Sequence, residues 1–251
     1  LLLENTEGHQ FYSFENNTLS LYKINKQTEY VKIWEYQFLN NKEAELISIL
    51  SGDIKEGPEQ EIIIVIHSFG SQGEVYIFTI KNNQPEGSPE ILSIPTTKKG
   101  TRPTQARLIN WDQQKKQEIL LMCSSPEREL LVLDYYNNNL SIITTLSGNF
   151  LTSTYGPIKF FTTDQNKDGV DDILIYSTKN QVEQNILLST KEEKRTALTE
   201  PIDFSSIKHF KGPLKQETLC LLKPKKTIYS ITTGKNTPID KENVKSIVDA
   251  S

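Results

Sequence analysis

Short apolar runs separated by polar clusters recur along the whole chain. The runs are about four to six residues long, rich in Ile, Leu, Val, Tyr and Thr, and bounded by Asn, Gly, Pro and Lys. No window shows the 3.6-residue periodicity of an amphipathic helix. The pattern therefore predicts an all-β fold that is built from many short strands.

The same order of elements repeats along the chain. An apolar strand, a polar loop, an acidic residue and a wholly apolar second strand follow one another in ELISILSGDIKEGPEQEIIIVIHS (45–68), QARLINWDQQKKQEILLMCSS (105–125) and PIKFFTTDQNKDGVDDILIYST (157–178). A weaker copy lies at 205–224. The acidic residues that open the second strands are Glu61, Glu118, Asp172 and Glu217. We expect Glu61, Glu118 and Glu217 to accept backbone N–H groups from the preceding turn.

Further strands follow each pair, and the two clearest copies contain four strands. Four strands in a unit of roughly 45–57 residues are typical of a β-propeller blade. A second strand that is apolar on both faces indicates sheets that stack face to face, whereas a β-sandwich, the alternative, shows one polar face on most strands. We predict a β-propeller of four-stranded antiparallel blades, with 62–66, 119–123, 173–176 and 218–222 as equivalent second strands.

The predicted propeller forms one domain over 1–251. Its five blades cover approximately 1–44, 45–100, 101–150, 151–200 and 201–241. Residues 242–251 match the first strand of a further unit. They either close the ring onto the first blade or begin the next blade of a larger propeller.

Composition restricts the classes of partner. The chain has 36% hydrophobic and 24% charged residues and a net charge of −4, so it resembles a globular protein and lacks the basic excess of nucleic-acid binders. No apolar run approaches the ~18 residues of a membrane span. Cys123 and Cys220 lie in apolar runs and are predicted to be buried free thiols. Asn16 and Asn139 begin formal glycosylation sequons.

One loop has the spacing of a metal site. Asp164, Asn166, Asp168, Gly169 and Asp172 spell D-x-N-x-D-G-x-x-D. Oxygen ligands at alternate positions, with Gly at the sharp turn, suit a hard cation such as Ca²⁺. An EF-hand would need a bidentate Glu at position 12, where this chain has Ile175. An acidic turn that binds nothing is the alternative.

A strand, this acidic loop and an Ile/Leu-rich strand resemble the FG-GAP or VCBS repeat of integrin-α-type β-propellers. The resemblance implies a structural Ca²⁺ held by the side chains of Asp164, Asn166, Asp168 and Asp172 and by the Val170 carbonyl. It covers one blade, and the other blades keep the outline without the ligand set. A WD40 propeller is the competing type, but the Trp111-Asp112 pair comes at the end of a first strand, the wrong place for that family.

The sequence contains no signature of an enzyme. It lacks the nucleophile-elbow, zincin, P-loop and C-x-x-C motifs, and its three histidines are isolated. We predict a non-enzymatic protein-binding or scaffold propeller that is extracellular, periplasmic or at the cell surface. One alternative is a carbohydrate-binding or polysaccharide-processing propeller, and another is an intracellular structural subunit of a large complex.

Overall fold

The computed structural model describes most of the chain. The described residues are 2–5, 8–25, 29–38, 44–68, 73–95, 101–124, 128–146, 159–164, 168–179, 182–189, 194–197, 202–211, 216–222, 227–230 and 235–238. The predicted closing strand at 242–251 lies outside them.

Every regular element of the described residues is a β-strand. In chain order the strands are β1 (Leu2–Asn5), β2 (Gly8–Glu15), β3 (Thr18–Ile24), β4 (Tyr30–Gln37), β5 (Ala44–Gly52), β6 (Glu61–Ser68), β7 (Glu74–Lys81), β8 (Gln84–Ser93), β9 (Pro103–Ile109), β10 (Glu118–Cys123), β11 (Glu129–Tyr136), β12 (Asn139–Leu146), β13 (Lys159–Thr163), β14 (Asp172–Lys179), β15 (Val182–Ser189), β16 (Lys194–Ala197), β17 (Ile202–Lys211), β18 (Gln216–Leu222), β19 (Thr227–Ser230) and β20 (Lys235–Pro238). Among these residues no helix is long and apolar enough to cross a membrane.

The strands form five four-stranded sheets. Each sheet keeps the order of the sequence, β1–β4, β5–β8, β9–β12, β13–β16 and β17–β20, and the registered neighbours are antiparallel. The predicted second strands fall in β6, β10, β14 and β18, each the second strand of a separate sheet. The all-β class and the repeated four-stranded antiparallel sheet are therefore confirmed.

Paired asparagines make three of the hairpin turns. Asn tolerates the left-handed backbone that two-residue hairpin turns require at both central positions. The pairs with positive φ at both residues are Asn16–Asn17, Asn82–Asn83 and Asn137–Asn138. The polar Asn clusters of the sequence thus mark where one strand returns beside the next.

The chain divides into two compact units. One contains Leu1–Leu108 and Lys115–Ser147, and the other contains Ile109–Gln114 and Gly148–Ser251. The first unit therefore holds the first two sheets and most of the third. The second holds the last two sheets, the last residue of β9 and the short segment that follows it.

Two hydrophobic cores lie in the first unit. The core between the first and second sheets contains Tyr12, Leu19, Leu21, Phe38, Ile62, Ile64, Ile66, Tyr76 and Phe78. The core between the second and third sheets includes Ile63, Val65, Val75, Ile77, Leu121, Cys123, Leu131 and Leu133. Side chains alternate along a strand, so β6 is apolar throughout because it serves a different core on each face.

Cys123 is a free thiol in the second of these cores, as predicted. Burial, with a smaller contribution from the charge of Glu129, raises the pKa of Cys123 to about 12. The thiol is therefore protonated at neutral pH and serves as a small apolar side chain. The side chain of Cys220 lies outside the described residues.

Candidate metal-binding loop

The acidic loop connects β13 to β14. Asp164 follows β13 directly and Asp172 is the first residue of β14. Thr163 is registered opposite Asp172, so the antiparallel pair brings the two ends of the loop together. Asn166 lies outside the described residues.

The carboxylate of Asp164 organises the turn. Its Oδ1 accepts the N–H of Asp168 at 3.1 Å, and its Oδ2 accepts the N–H of Gly169 at 3.0 Å. The Oδ1 of Asp168 accepts the N–H of Val170 at 2.9 Å. Gly169 has a φ of 85°, a backbone conformation that a residue with a Cβ resists. The loop is thus a tight turn in which backbone donors face acidic side chains.

Val170, in the last part of the loop, and Asp172, at the start of β14, are both buried. Asp171 lies between them and contacts a different segment. Its N–H donates to the carbonyl of Asn110 at 2.8 Å, and its Oδ2 accepts the N–H of Asn110 at 2.8 Å. Asp171 is therefore tied at both its backbone and its side chain to the residue that follows β9.

Burial and several neighbouring groups shift the pKa of the Asp171 carboxyl. Burial raises its pKa, the hydrogen bond from Asn110 lowers it, and the negative charges of Asp164 and Asp172 raise it further. The net pKa lies above the usual value. Burial is thus the main reason why the ionised form of Asp171 is disfavoured, and the charges of Asp164 and Asp172 add a smaller contribution of the same sign.

The segment after β9 is part of the same compact unit as the loop. Gln113 donates its side-chain amide to the carbonyl of Asp168 and has a φ of 65°. Its Cγ would lie 3.6 Å from a Cβ placed on Gly169. Asn110 and Gln113 thus bind the acidic loop at Asp171 and at Asp168, respectively.

Sequence reasoning did not identify Asn110, Gln113 or Asp171. The one available signal was the Asp171–Asp172 pair, since successive residues of an extended segment point in opposite directions. If one of the two carboxylates points into the loop, the other must find a different partner.

The residue types of the loop fit a hard cation. A carboxylate oxygen has two lone pairs, so the hydrogen bonds to Asp164 and Asp168 leave acceptor capacity for a metal. Within the part of the chain that the structure describes, no three His, Cys, Asp or Glu side chains converge closely enough to hold one. Binding at Asp164, Asp168 and Asp172 therefore requires these carboxylates to turn toward a common point.

The corresponding loop of the second sheet is organised differently. Counting from its acidic residue, Asp53 and Lys55 take the places of Asp164 and Asn166. Glu61 accepts the N–H of Ile54 at 3.0 Å, which confirms the structural role predicted for that carboxylate. Lys55 forms an ion pair with Glu90 at 2.9 Å. This loop therefore has the positively charged side chain of Lys55 where the acidic loop has the side-chain amide of Asn166.

No protein-family model and no curated protein sequence matches the chain. One solved structure that resembles it is a crystal structure of a protein from Lactobacillus plantarum, with 11% sequence identity and a TM-score of 0.44. The similarity covers 92% of this chain and 67% of the other. At that level the similarity carries no inference about this chain.

Proposed function

We propose that this chain is a non-enzymatic β-propeller of the FG-GAP/VCBS type that binds a protein partner and carries one structural Ca²⁺. The observation that carries the proposal is the burial of β6 on both faces, with Ile62, Ile63, Ile64 and Val65 all fully buried. Sheets stacked on both sides of a four-stranded sheet are the packing that a propeller blade requires. In the proposed arrangement all five sheets are blades of one ring.

The proposed calcium site uses the acidic loop. The carboxylates of Asp164, Asp168 and Asp172, the amide oxygen of Asn166 and the carbonyl of Val170 are its ligands. When bound, Ca²⁺ neutralises carboxylates that otherwise repel one another in one short loop. Gly169 supplies the turn geometry. Asp172 is the first residue of β14, so its coordination also fixes the start of that strand.

The first sheet presents a candidate surface for the protein partner. Its outermost strand, β4, carries Tyr30, Val31 and Ile33 at 64%, 44% and 37% exposure. Exposed apolar residues grouped on one strand mark interaction surfaces more often than isolated ones. The nearby Trp34 packs edge-on against Phe78 at 5.2 Å, so its ring is engaged in the core instead of being presented to a sugar.

The proposed compartment follows from the calcium affinity that is typical of extracellular sites. Extracellular calcium modules typically bind with dissociation constants of about 10⁻⁴–10⁻³ M. A site of that kind is loaded outside the cell and not in the cytosol. The proposed location is therefore the cell surface, the extracellular space or the periplasm.

The calcium site is tested by calorimetry of the chain with Ca²⁺ and with a chelator. At a hundred times the dissociation constant, Ca²⁺ stabilises the folded state by about 2.7 kcal/mol, which raises the melting temperature. Asp168→Ala removes this increase. Asp112→Ala, which changes an exposed aspartate outside the proposed ligand set, retains it. Equal melting temperatures of the wild type in Ca²⁺ and in chelator would rule out the site.

The partner surface is tested by photo-crosslinking in the native cell. A photoreactive side chain at position 33 of β4 is expected to give a discrete protein adduct, while the same side chain at position 86, exposed on β8, is not. Adducts of polysaccharide alone would favour the carbohydrate-binding alternative. Absence of any adduct from position 33 would refute this surface.

A further inference from the structure

Gln113 has an unusual backbone conformation. Its φ is 65°, in the left-handed region that residues other than Gly, Asn and Asp adopt rarely. The other non-glycine residues with positive φ in the described part of the chain are asparagines of hairpin turns, namely Asn16, Asn17, Asn82, Asn83, Asn137 and Asn138. Such a conformation persists where surrounding contacts impose it, and it is concentrated at functional sites. The contacts of Gln113 therefore indicate a role beyond that of a turn residue.

The side chain of Gln113 holds one peptide group of the acidic loop. Its amide donates to the carbonyl of Asp168, which belongs to the peptide group that joins Asp168 to Gly169. The N–H of the same peptide group donates to Oδ2 of Asp164 at 3.0 Å. This peptide group lies directly before the Cα of Gly169, where the turn has its positive φ. It is thus fixed from two sides, by Asp164 within the loop and by Gln113 from the segment after β9.

Only one of these two bonds involves a proposed calcium ligand. Both carboxylate oxygens of Asp164 accept N–H groups of the turn, from Asp168 and Gly169, and this carboxylate must turn toward the cation when it binds. The bond from Gln113 uses no ligand side chain and can persist in the loaded site. Partners outside the ligand set orient the ligands, and their loss typically weakens metal binding by about 10–100-fold.

A backbone bond of the same kind occurs between the second and third sheets. The N–H of Gln117 donates to the carbonyl of Asp53 at 2.6 Å, as the N–H of Asp171 donates to the carbonyl of Asn110 at 2.8 Å. Both donors directly precede the acidic residue of a second strand, and both acceptors directly follow a first strand. This backbone bond therefore belongs to the repeat and is independent of the acidic loop.

The bond from Gln113 is specific to the acidic loop. Counting from the end of the first strand, Glu56 takes the place of Gln113 in the loop of the second sheet. An ionised carboxylate cannot donate a hydrogen bond to a carbonyl, whereas a side-chain amide can. The chain thus has a donor where the facing loop is acidic, and it has a carboxylate at the matching place beside a loop that contains Lys116.

We propose that Gln113 is a positioning residue for the calcium site, and that Ca²⁺ binding in the acidic loop orders residues 110–114. This role rests on the proposed function. Asn110 is bound to Asp171 through both its N–H and its C=O, and Gln113 is bound to Asp168, so the segment is attached to the loop near both of its ends. Coupling between two parts is reciprocal. A segment that orders the loop for the cation is therefore itself ordered when the cation binds.

The first test measures the affinity for Ca²⁺ from the melting temperature of the full chain over a range of Ca²⁺ concentrations. Gln113→Ala, at an exposed position, should weaken binding by about tenfold or more. Gln113→Glu should also weaken binding because it loses the donor, although its added negative charge alone would strengthen it. Gln114→Ala and Gln114→Glu are the matched controls, since Gln114 donates to Asp112 at 2.7 Å, and they should not weaken binding.

Hydrogen exchange provides the second readout. In the wild type, Ca²⁺ should slow exchange at residues 110–114 as well as in the acidic loop, and the loop at 54–60 of the second sheet should not change. At saturating Ca²⁺, Gln113→Ala should lose the protection of 110–114 and keep that of the acidic loop. Circular dichroism checks that each variant is folded.

The outcomes separate this role from the calcium site itself. If Ca²⁺ stabilises the wild type but both Gln113 variants bind it as tightly, the positioning role is overturned and the site stands. Protection by Ca²⁺ that is confined to the acidic loop overturns the coupling. A wild type that Ca²⁺ does not stabilise refutes the site, and the role of Gln113 with it.

Discussion

Ile63 and Ile64 are consecutive residues of β6, and they are fully buried in two different cores. Ile63 packs between the second and third sheets, and Ile64 packs between the first and second. The strand therefore needs apolar residues at every position, because neither of its faces reaches water. This relationship connects the run of isoleucines in the sequence to the stacking of sheets.

Truncating either isoleucine should destabilise the fold substantially. Ile64→Ala is expected to lower the free energy of unfolding by about 2–5 kcal/mol, since it removes buried methyl groups and leaves a cavity. Urea denaturation measures the change. Ile91→Ala, at a 51% exposed site on β8, should stay within about 0.5 kcal/mol of the wild type. Similar values for the two variants would contradict the burial of Ile64 in the core between the first and second sheets.

Glu61 should make stability depend on pH. Its pKa is raised chiefly by burial and further by Asp53, while hydrogen bonds from Ile54 and Lys55 and the charge of Lys55 oppose the rise. The folded state therefore keeps this proton to a higher pH than the unfolded state, whose pKa is about 4.3. Between the two pKa values, increasing pH lowers the free energy of unfolding.

Glu61→Gln should remove that dependence. The amide oxygen of Gln still accepts the N–H of Ile54, and no ionisation has to occur in the buried site. The free energy of unfolding of the variant, relative to that of the wild type, should increase from about pH 4 to about pH 7. Urea denaturation at the two pH values measures this difference. Glu59→Gln, at an exposed position of the same loop, is the control. If the two variants show the same pH profile, burial of Glu61 is not the cause.

The contact between Asp171 and Asn110 should stabilise the acidic loop without any metal. Asp171→Ala leaves the N–H of Asn110 without its carboxylate acceptor and is expected to cost about 1–3 kcal/mol. Asp171→Asn keeps an oxygen acceptor at the same place and should restore most of the loss. Hydrogen exchange at Asn110 should accelerate in the Ala variant and not in the Asn variant. Equal exchange in both would show that the carboxylate is not the acceptor.

Gly169 should tolerate Asn better than Ala. At a φ of 85°, a residue with a Cβ is strained, and the left-handed conformation costs about 1–2 kcal/mol for Ala. Among the described residues, its chain neighbours apart, the atom nearest to the Cβ position is the Cγ of Gln113 at 3.6 Å, so the cost comes from the backbone and not from a clash with these residues. Asn occupies this region more readily. Thermal unfolding of the two variants should place Gly169→Ala below Gly169→Asn, and the reverse order would refute this explanation.

The candidate site was predictable from the sequence only in part. The spacing of Asp164, Asn166 and Asp168 identifies one loop, because ligands on alternate residues are a local property of the chain. Asn110 and Gln113 are 61 and 55 residues away from their partners in the loop. No local pattern specifies contacts across such distances. The calcium site and the ring arrangement of the sheets remain predictions.

The sequence by itself determined the strands, their grouping in fours and the turns, because alternation, apolar runs and paired asparagines act over a few residues. It also indicated that the second strands are buried on both faces. Only the tertiary structure decided which core receives Ile63 and which receives Ile64, and that Asp171 binds Asn110. These features depend on how separate sheets and loops pack, and packing is selected by shape and by long-range contacts that no short segment encodes.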